Sequence, residues 1–238
     1  MSSPERIVVC DASRLAEEVA AWVAAALEAD LAAQGRCAVA LSGGGTPRPA
    51  YRRLAGEPYA SRIRWSDVEV FFGDERAVPP TDPASNYAMA LESLLARVAI
   101  PATRIHRMGA ERADRDAAAR EYERLLPDRL DVLLLGMGPD GHTASLFPGS
   151  AALDERTRRV VAISGAPKPP GERLTITPPV IAAARRIAVL AAGADKADAV
   201  VRALQGPERP RDLPVQLARR GTWFLDREAA ARLRSAAA

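Results

Sequence analysis

The chain has 238 residues, of which 48% are hydrophobic and 26% charged, and a formal net charge of +3 at pH 7. These values lie close to globular averages and fit one large α/β domain, or two small ones, with a real buried core. No apolar run approaches the roughly 18 residues of a membrane span. The basic residues are scattered and not interleaved with aromatics, which argues against a nucleic-acid surface.

Strand-like and helix-like segments alternate along the chain. Ile7–Cys10 reads as a strand, and Asp11 or Ser13 as the cap of an Ala-rich helix to about Leu31. On that helix Leu15, Val19, Trp22, Val23 and Leu27 share one face. Cys37–Leu41 is a strand, followed by a Gly-rich turn and a helix from about Pro49 to Leu54. Val68–Phe72 is a strand before a long polar loop, and Ser85 or Asn86 starts a helix to about Leu95. A polar amphipathic helix follows at Asp114–Leu125, then the most apolar strand, Leu130–Leu135. Short strands are expected at Val160–Ile163, Leu174–Thr177 and Ile187–Ala191, then a helix from about Asp195 to Leu204. Thr222–Leu225 is the last strand, Asp226–Ser235 a final helix, and Ser235–Ala238 a fraying tail. The alternation predicts an α/β fold with a doubly wound, mainly parallel sheet flanked by helices, as one domain over residues 1–238.

Cys10 and Cys37 have no CxxC or Cys/His spacing and read as two buried free thiols. No metal cluster or cofactor is implied. The start MSSPERIVVC lacks a basic-then-apolar leader, so the expected location is cytoplasmic.

Five motifs carry chemistry, each where an apparent strand ends or beside a short one. In SGGGTP, Ser42, Gly43, Gly44, Gly45 and Thr46 can offer backbone N–H groups and hydroxyls to an anion. The motif lacks the lysine of a P-loop and the spacing of a dinucleotide fingerprint, so a phosphate monoester fits better than a nucleotide. In GDERAVPPTDPASNY, Asp74 can accept a hydroxyl or a proton, and Arg76 can fork onto an oxyanion. Glu75 reads as structural, in an ion pair at the surface, and Pro79, Pro80 and Pro83 make the loop an ordered wall.

In GMGPDGHTASLFP, glycines and a proline surround His142, one of only two histidines, with Asp140 beside it. Imidazole titrates near neutral pH and is the side chain best suited to moving protons there. His106 lies outside the motifs and reads as structural or superficial. In GADKADAV, Lys196 falls in the first turn of a helix, where the dipole disfavours a cation unless an anion is bound. Lys168, inside the Pro- and Gly-rich stretch Ser164–Gly171, and Arg173, just after it, are two cations on one stiff loop, PKPPGER, and can cover an acidic ligand. Taken singly, each motif is equally an ordinary turn or solvated loop. A parallel sheet would bring their strand ends to one edge, where ligands of such folds bind.

These segments resemble, in order, those of the 6-phosphogluconolactonase family within the wider glucosamine-6-phosphate deaminase/isomerase superfamily. The likeness runs from about Leu41 to Val200, and DGHTASLFP is its most specific element. It implies a phosphate site at Gly43, Gly44, Gly45 and Thr46, helped by Lys196 and Arg173. It also implies substrate contacts from Asp74 and Arg76, and His142 as general base beside Asp140. Gly45 departs from the family, which commonly has serine there. Deaminases and isomerases of the superfamily carry a glutamate where this chain has Phe147, and amino-sugar chemistry needs that carboxylate whereas ester hydrolysis does not.

The implied substrate is 6-phosphoglucono-1,5-lactone, attacked by a water that His142 deprotonates, with no metal required. Backbone N–H groups near Gly44 and the Arg76 cation are the implied oxyanion donors. Ser145 as a nucleophile is disfavoured, because TASL is not a G-x-S-x-G elbow. The rival readings are a sugar-phosphate deaminase or isomerase and a non-catalytic sugar-phosphate sensor. Such sensors carry a DNA-binding extension, and six residues precede the first strand here. The expected assembly is a monomer or weak homodimer.

Overall fold

The structure is a computed structural model that describes residues 4–234. Among the described residues, nine strands build two sheets. Strands β1 (Arg6–Cys10), β9 (Thr222–Asp226), β8 (Arg186–Ala191), β5 (Val132–Gly136), β2 (Cys37–Leu41) and β3 (Val68–Phe72) lie in that order in one sheet, every pair parallel. Its inner strands read as continuous apolar runs because helices flank the sheet; Val132–Leu135 is fully buried. The second sheet is antiparallel, in the order β4 (Asp74–Arg76), β7 (Arg173–Ile176), β6 (Val160–Ile163). The Asp74-Glu75-Arg76 segment, expected as loop, is therefore a strand. Its backbone finds partners on β7 instead of water.

The helices are α1 (Ala12–Gln34), α2 (Arg48–Leu54), α3 (Tyr59–Arg62), α4 (Asn86–Ala90), α5 (Arg115–Leu125), α6 (Pro178–Ala183) and α7 (Ala197–Gln205). Helix α1 buries Leu15, Val19, Val23 and Leu27, and Trp22 meets Phe224 of β9 edge-on. It stops at Gly35, which has a φ of 73° and donates its N–H back to Leu31, a left-handed end that suits glycine. Helix α4 continues as a π-type turn over Leu91–Leu95. Among the described residues no helix is long and apolar enough to cross a membrane.

Two expectations need correction. The segment after β9 is a series of turns, not the helix Asp226–Ser235; Ser235 and the tail lie outside the described residues. Asp226 uses its carboxylate to accept from the N–H groups of Ala229 and Gly193, at 2.7 and 2.9 Å. Of the described residues that follow, only Ala229 is fully buried, while Ala230 and Leu233 pack against the core partly exposed, so little apolar surface is covered to hold a helix there. Of the two free thiols, Cys37 is buried but Cys10, on edge strand β1, is only half-buried.

Candidate active site

Strand order reverses between β2 and β5: from β2 the chain proceeds outward to β3, and from β5 the other way to β8 and β9. At such a switch point the loops leaving adjacent strands diverge and open a crevice at the carboxyl edge. Ser42 bridges the two strands there, its Oγ accepting from the N–H of Gly136 at 3.0 Å. Two buried tyrosines anchor the neighbouring strand ends. The Tyr51 hydroxyl accepts from Ser42 N and donates to Ser42 O, both at 2.9 Å. The Tyr122 hydroxyl does the same for Phe72, at 2.7 and 3.1 Å. Burial pushes both phenols far up, so they stay neutral donors. Neither tyrosine was singled out from sequence.

Above this edge lies a cavity of about 320 Å³. Eleven of the twelve residues singled out from sequence line it: Ser42, Gly43, Gly44, Gly45, Thr46, Asp74, Arg76, His142, Lys168, Arg173 and Lys196. The twelfth, Asp140, stands behind His142. Its Oδ1 is 2.5 Å from His142 Nδ1, which leaves Nε2 with the free lone pair when Nδ1 donates to the carboxylate. Burial pushes the imidazole below its ordinary value, while Asp140 partly opposes that and Lys168 adds to it. Burial also acts on Asp140 in the upward direction, but the bond and charge of His142 outweigh it and leave the carboxyl low.

Local glycines make this pairing possible. A Cβ on Gly138 would overlap the His142 ring, and Gly141 has a φ of 81° with its missing Cβ pressed on Leu213. Phe147 packs a tilted ring on His142 with centroids 4.7 Å apart, and the Arg173 guanidinium lies 5.5 Å above the same phenyl centroid.

The Asp74 carboxylate is buried against three donors. Asn86 Nδ2 donates to Oδ1 at 3.0 Å, Ser145 Oγ donates to Oδ2 at 2.7 Å, and Arg173 Nη1 stands 3.9 Å from Oδ2. Glu75 is structural as expected, but through burial and not a surface ion pair. It accepts from the backbone N–H groups of Arg76, Asn86 and Tyr87, each at 2.8 Å, and from the Ser85 hydroxyl at 3.0 Å. Burial raises its carboxyl pKa, and those backbone donors pull the other way.

The four cations of the cavity differ in freedom. Arg173 is almost fully buried and spends Nε on Pro170 O and Nη2 on Lys168 O, so it ties down the loop that carries Lys168. Arg76 donates from Nη1 to Ala84 O at 2.6 Å, while its buried Nε has no partner. Lys168 is half exposed, 3.8 Å from Asp140. Lys196 sits at the start of α7 and pairs with Asp195 at 2.7 Å. His106 lies apart from the site, stacked on Phe71 at 4.5 Å.

This fold and crevice define a class of sugar-phosphate enzymes, and the chain belongs to it: residues 10–225 match the family model described as glucosamine-6-phosphate isomerases/6-phosphogluconolactonase. Several relatives within that family carry the name 6-phosphogluconolactonase. A 6-phosphogluconolactonase of Mycobacterium tuberculosis is 42% identical over 226 residues, spanning 88% of this chain and 90% of that protein. One of Streptomyces coelicolor is 38% identical over 249 residues, spanning 97% and 95%. Among solved structures, the 6-phosphogluconolactonase of Trypanosoma brucei superposes with a TM-score of 0.87 at 30% identity, covering 98% of this chain and all of the other. A monomeric glucosamine-6-phosphate deaminase also superposes, with a TM-score of 0.80 at 25% identity over 95% and 99% of the two chains.

Proposed function

We propose that this chain hydrolyses the ring ester of 6-phosphoglucono-1,5-lactone to 6-phosphogluconate, with His142 as general base. The observation that carries the reading is His142, backed by Asp140, on the wall of a cavity that four cations also line. His142 Nε2 takes a proton from a water as the water oxygen bonds to the lactone carbonyl carbon. Such assistance is worth about 10²–10⁴-fold. Asp140 holds the ring orientation and steadies the imidazolium that forms. Backbone N–H groups at Gly44 and the Arg76 guanidinium take up the oxyanion, each good donor being worth about 10²–10³-fold. The carbon–ring-oxygen bond then breaks, and His142 returns its proton to the departing oxygen. The Gly43–Thr46 loop and Lys196 hold the phosphate, contributing orientation rather than bond making. No step calls on a metal ion.

The lactonase names of the relatives support this reading, as does Phe147. A deaminase of this superfamily is expected to need a carboxylate at that position, and a phenyl ring has no titratable group to move a proton. The test is an assay of the purified protein on freshly generated lactone and, separately, on glucosamine 6-phosphate. Lactone loss well above the spontaneous rate, with no ammonia from the amino sugar, is the expected result. Ammonia release without lactone turnover would replace this reading with the deaminase one.

A further inference from the structure

We propose that Ser145, with Asn86 and Arg173, is a positioning residue for Asp74. The claim rests on the lactone hydrolysis proposed above, with Asp74, which lines the same cavity as His142, meeting the substrate there as the family resemblance implies. Ser145 is completely buried, and its hydroxyl has two neighbours: it donates to Asp74 Oδ2 at 2.7 Å and stands 3.4 Å from Arg173 Nη1. A hydroxyl committed in this way and shut off from solvent is no nucleophile. Its backbone is held as well, the N–H donating to Thr175 Oγ1 at 3.1 Å.

The turn that delivers Ser145 is built for the purpose. Thr143 and Leu146 close it through a backbone hydrogen bond of 3.0 Å, and Thr143 Oγ1 anchors it to Gly136 O at 2.9 Å. Between them Ala144 adopts a φ of 49°, left-handed for a residue with a Cβ. Such strain persists where surrounding structure over-determines it, and functional sites are where it collects. One turn thus presents the imidazole at one end to the cavity and a hydroxyl at the other to the carboxylate across it.

Asn86 completes the cradle from the opposite wall. Its Nδ2 donates to both the carbonyl and Oδ1 of Asp74, at 2.8 and 3.0 Å. Its buried Oδ1 has no hydrogen-bond partner and occupies the space where Gly43 lacks a Cβ. Asn86 therefore couples the position of Asp74 to the Gly-rich loop. With donors on both oxygens and a guanidinium nearby, the carboxylate is held in one rotamer, pre-organised to accept a substrate hydroxyl without reorganising.

A double-mutant cycle on kcat/KM tests this, using Ser145→Ala, Asp74→Asn and the double variant, with thermal midpoints measured in parallel. The expected result is a fall of about tenfold for Ser145→Ala in the wild-type background, the scale of one lost hydrogen bond to a charged group. In the Asp74→Asn background the same change should have almost no effect on kcat/KM. Equal falls in both backgrounds would overturn the proposal and make Ser145 merely structural. If Asp74→Asn alone leaves lactonase activity intact, the substrate role of Asp74 fails instead. Should Ser145→Ala not fold, Asn86→Ala run through the same cycle reads the same coupling.

Discussion

Asp140 Oδ1 and His142 Nδ1 stand 2.5 Å apart across a single intervening glycine. A contact this local needs the left-handed Gly141 between them and the bare backbone of Gly138 beside them. It makes the imidazole an oriented acceptor and not a free ring.

The pH profile follows from that pair. Burial sets the His142 pKa below the ordinary histidine value. The imidazole must be neutral to take a proton, so kcat/KM should hold through neutral pH and fall as pH drops below that lowered value. Asp140→Asn removes the group that opposes burial, so its acidic limb should move to still lower pH, with kcat down about a hundredfold. The profile is read from initial rates after subtracting spontaneous hydrolysis.

Gly138→Ala should separate activity from folding. The added methyl would overlap both the His142 ring and the Asp140 carboxylate. Displacing a catalytic ring by about 1 Å can cost about a hundredfold in rate. Far-ultraviolet circular dichroism should stay near wild type while turnover drops.

Gly45 is open: a Cβ there would meet nothing within 4 Å. Gly45→Ser should fit without strain and add one hydroxyl to the Gly43–Thr46 loop proposed to hold the phosphate. The expected outcome is a KM lower by about three- to tenfold with kcat little changed, the scale of one hydrogen bond to a charged group.

Glu75→Ala should act on stability. It would strand the N–H groups of Arg76, Asn86 and Tyr87 that now bond the carboxylate. A loss of about 3 kcal/mol or more is expected in urea unfolding, and Glu75→Gln should cost less because it keeps an acceptor.

Much of this site is legible in the chain because glycine and proline punctuate it. SGGGTP and GMGPDGH follow apolar runs, and parallel pairing carries both to one edge. The partners of Asp74 were not legible. Ser145 lies 71 residues from Asp74 in sequence, and they meet because β4 pairs Asp74 with Thr175 of β7, whose hydroxyl accepts from the Ser145 N–H. The Tyr51 and Tyr122 anchors depend likewise on tertiary packing and read from sequence as ordinary core residues. Alanine and arginine in the last segment favour helix by propensity, whereas the extent of side-chain burial against the core decides whether one persists.

The central claim is that His142 moves the proton. Turnover of His142→Ala on the lactone, measured beside its affinity for 6-phosphogluconate, tests it most directly. With His142 as the base, kcat should fall by about 10²–10⁴-fold while product affinity stays close to wild type. Near-normal turnover in that variant would contradict it.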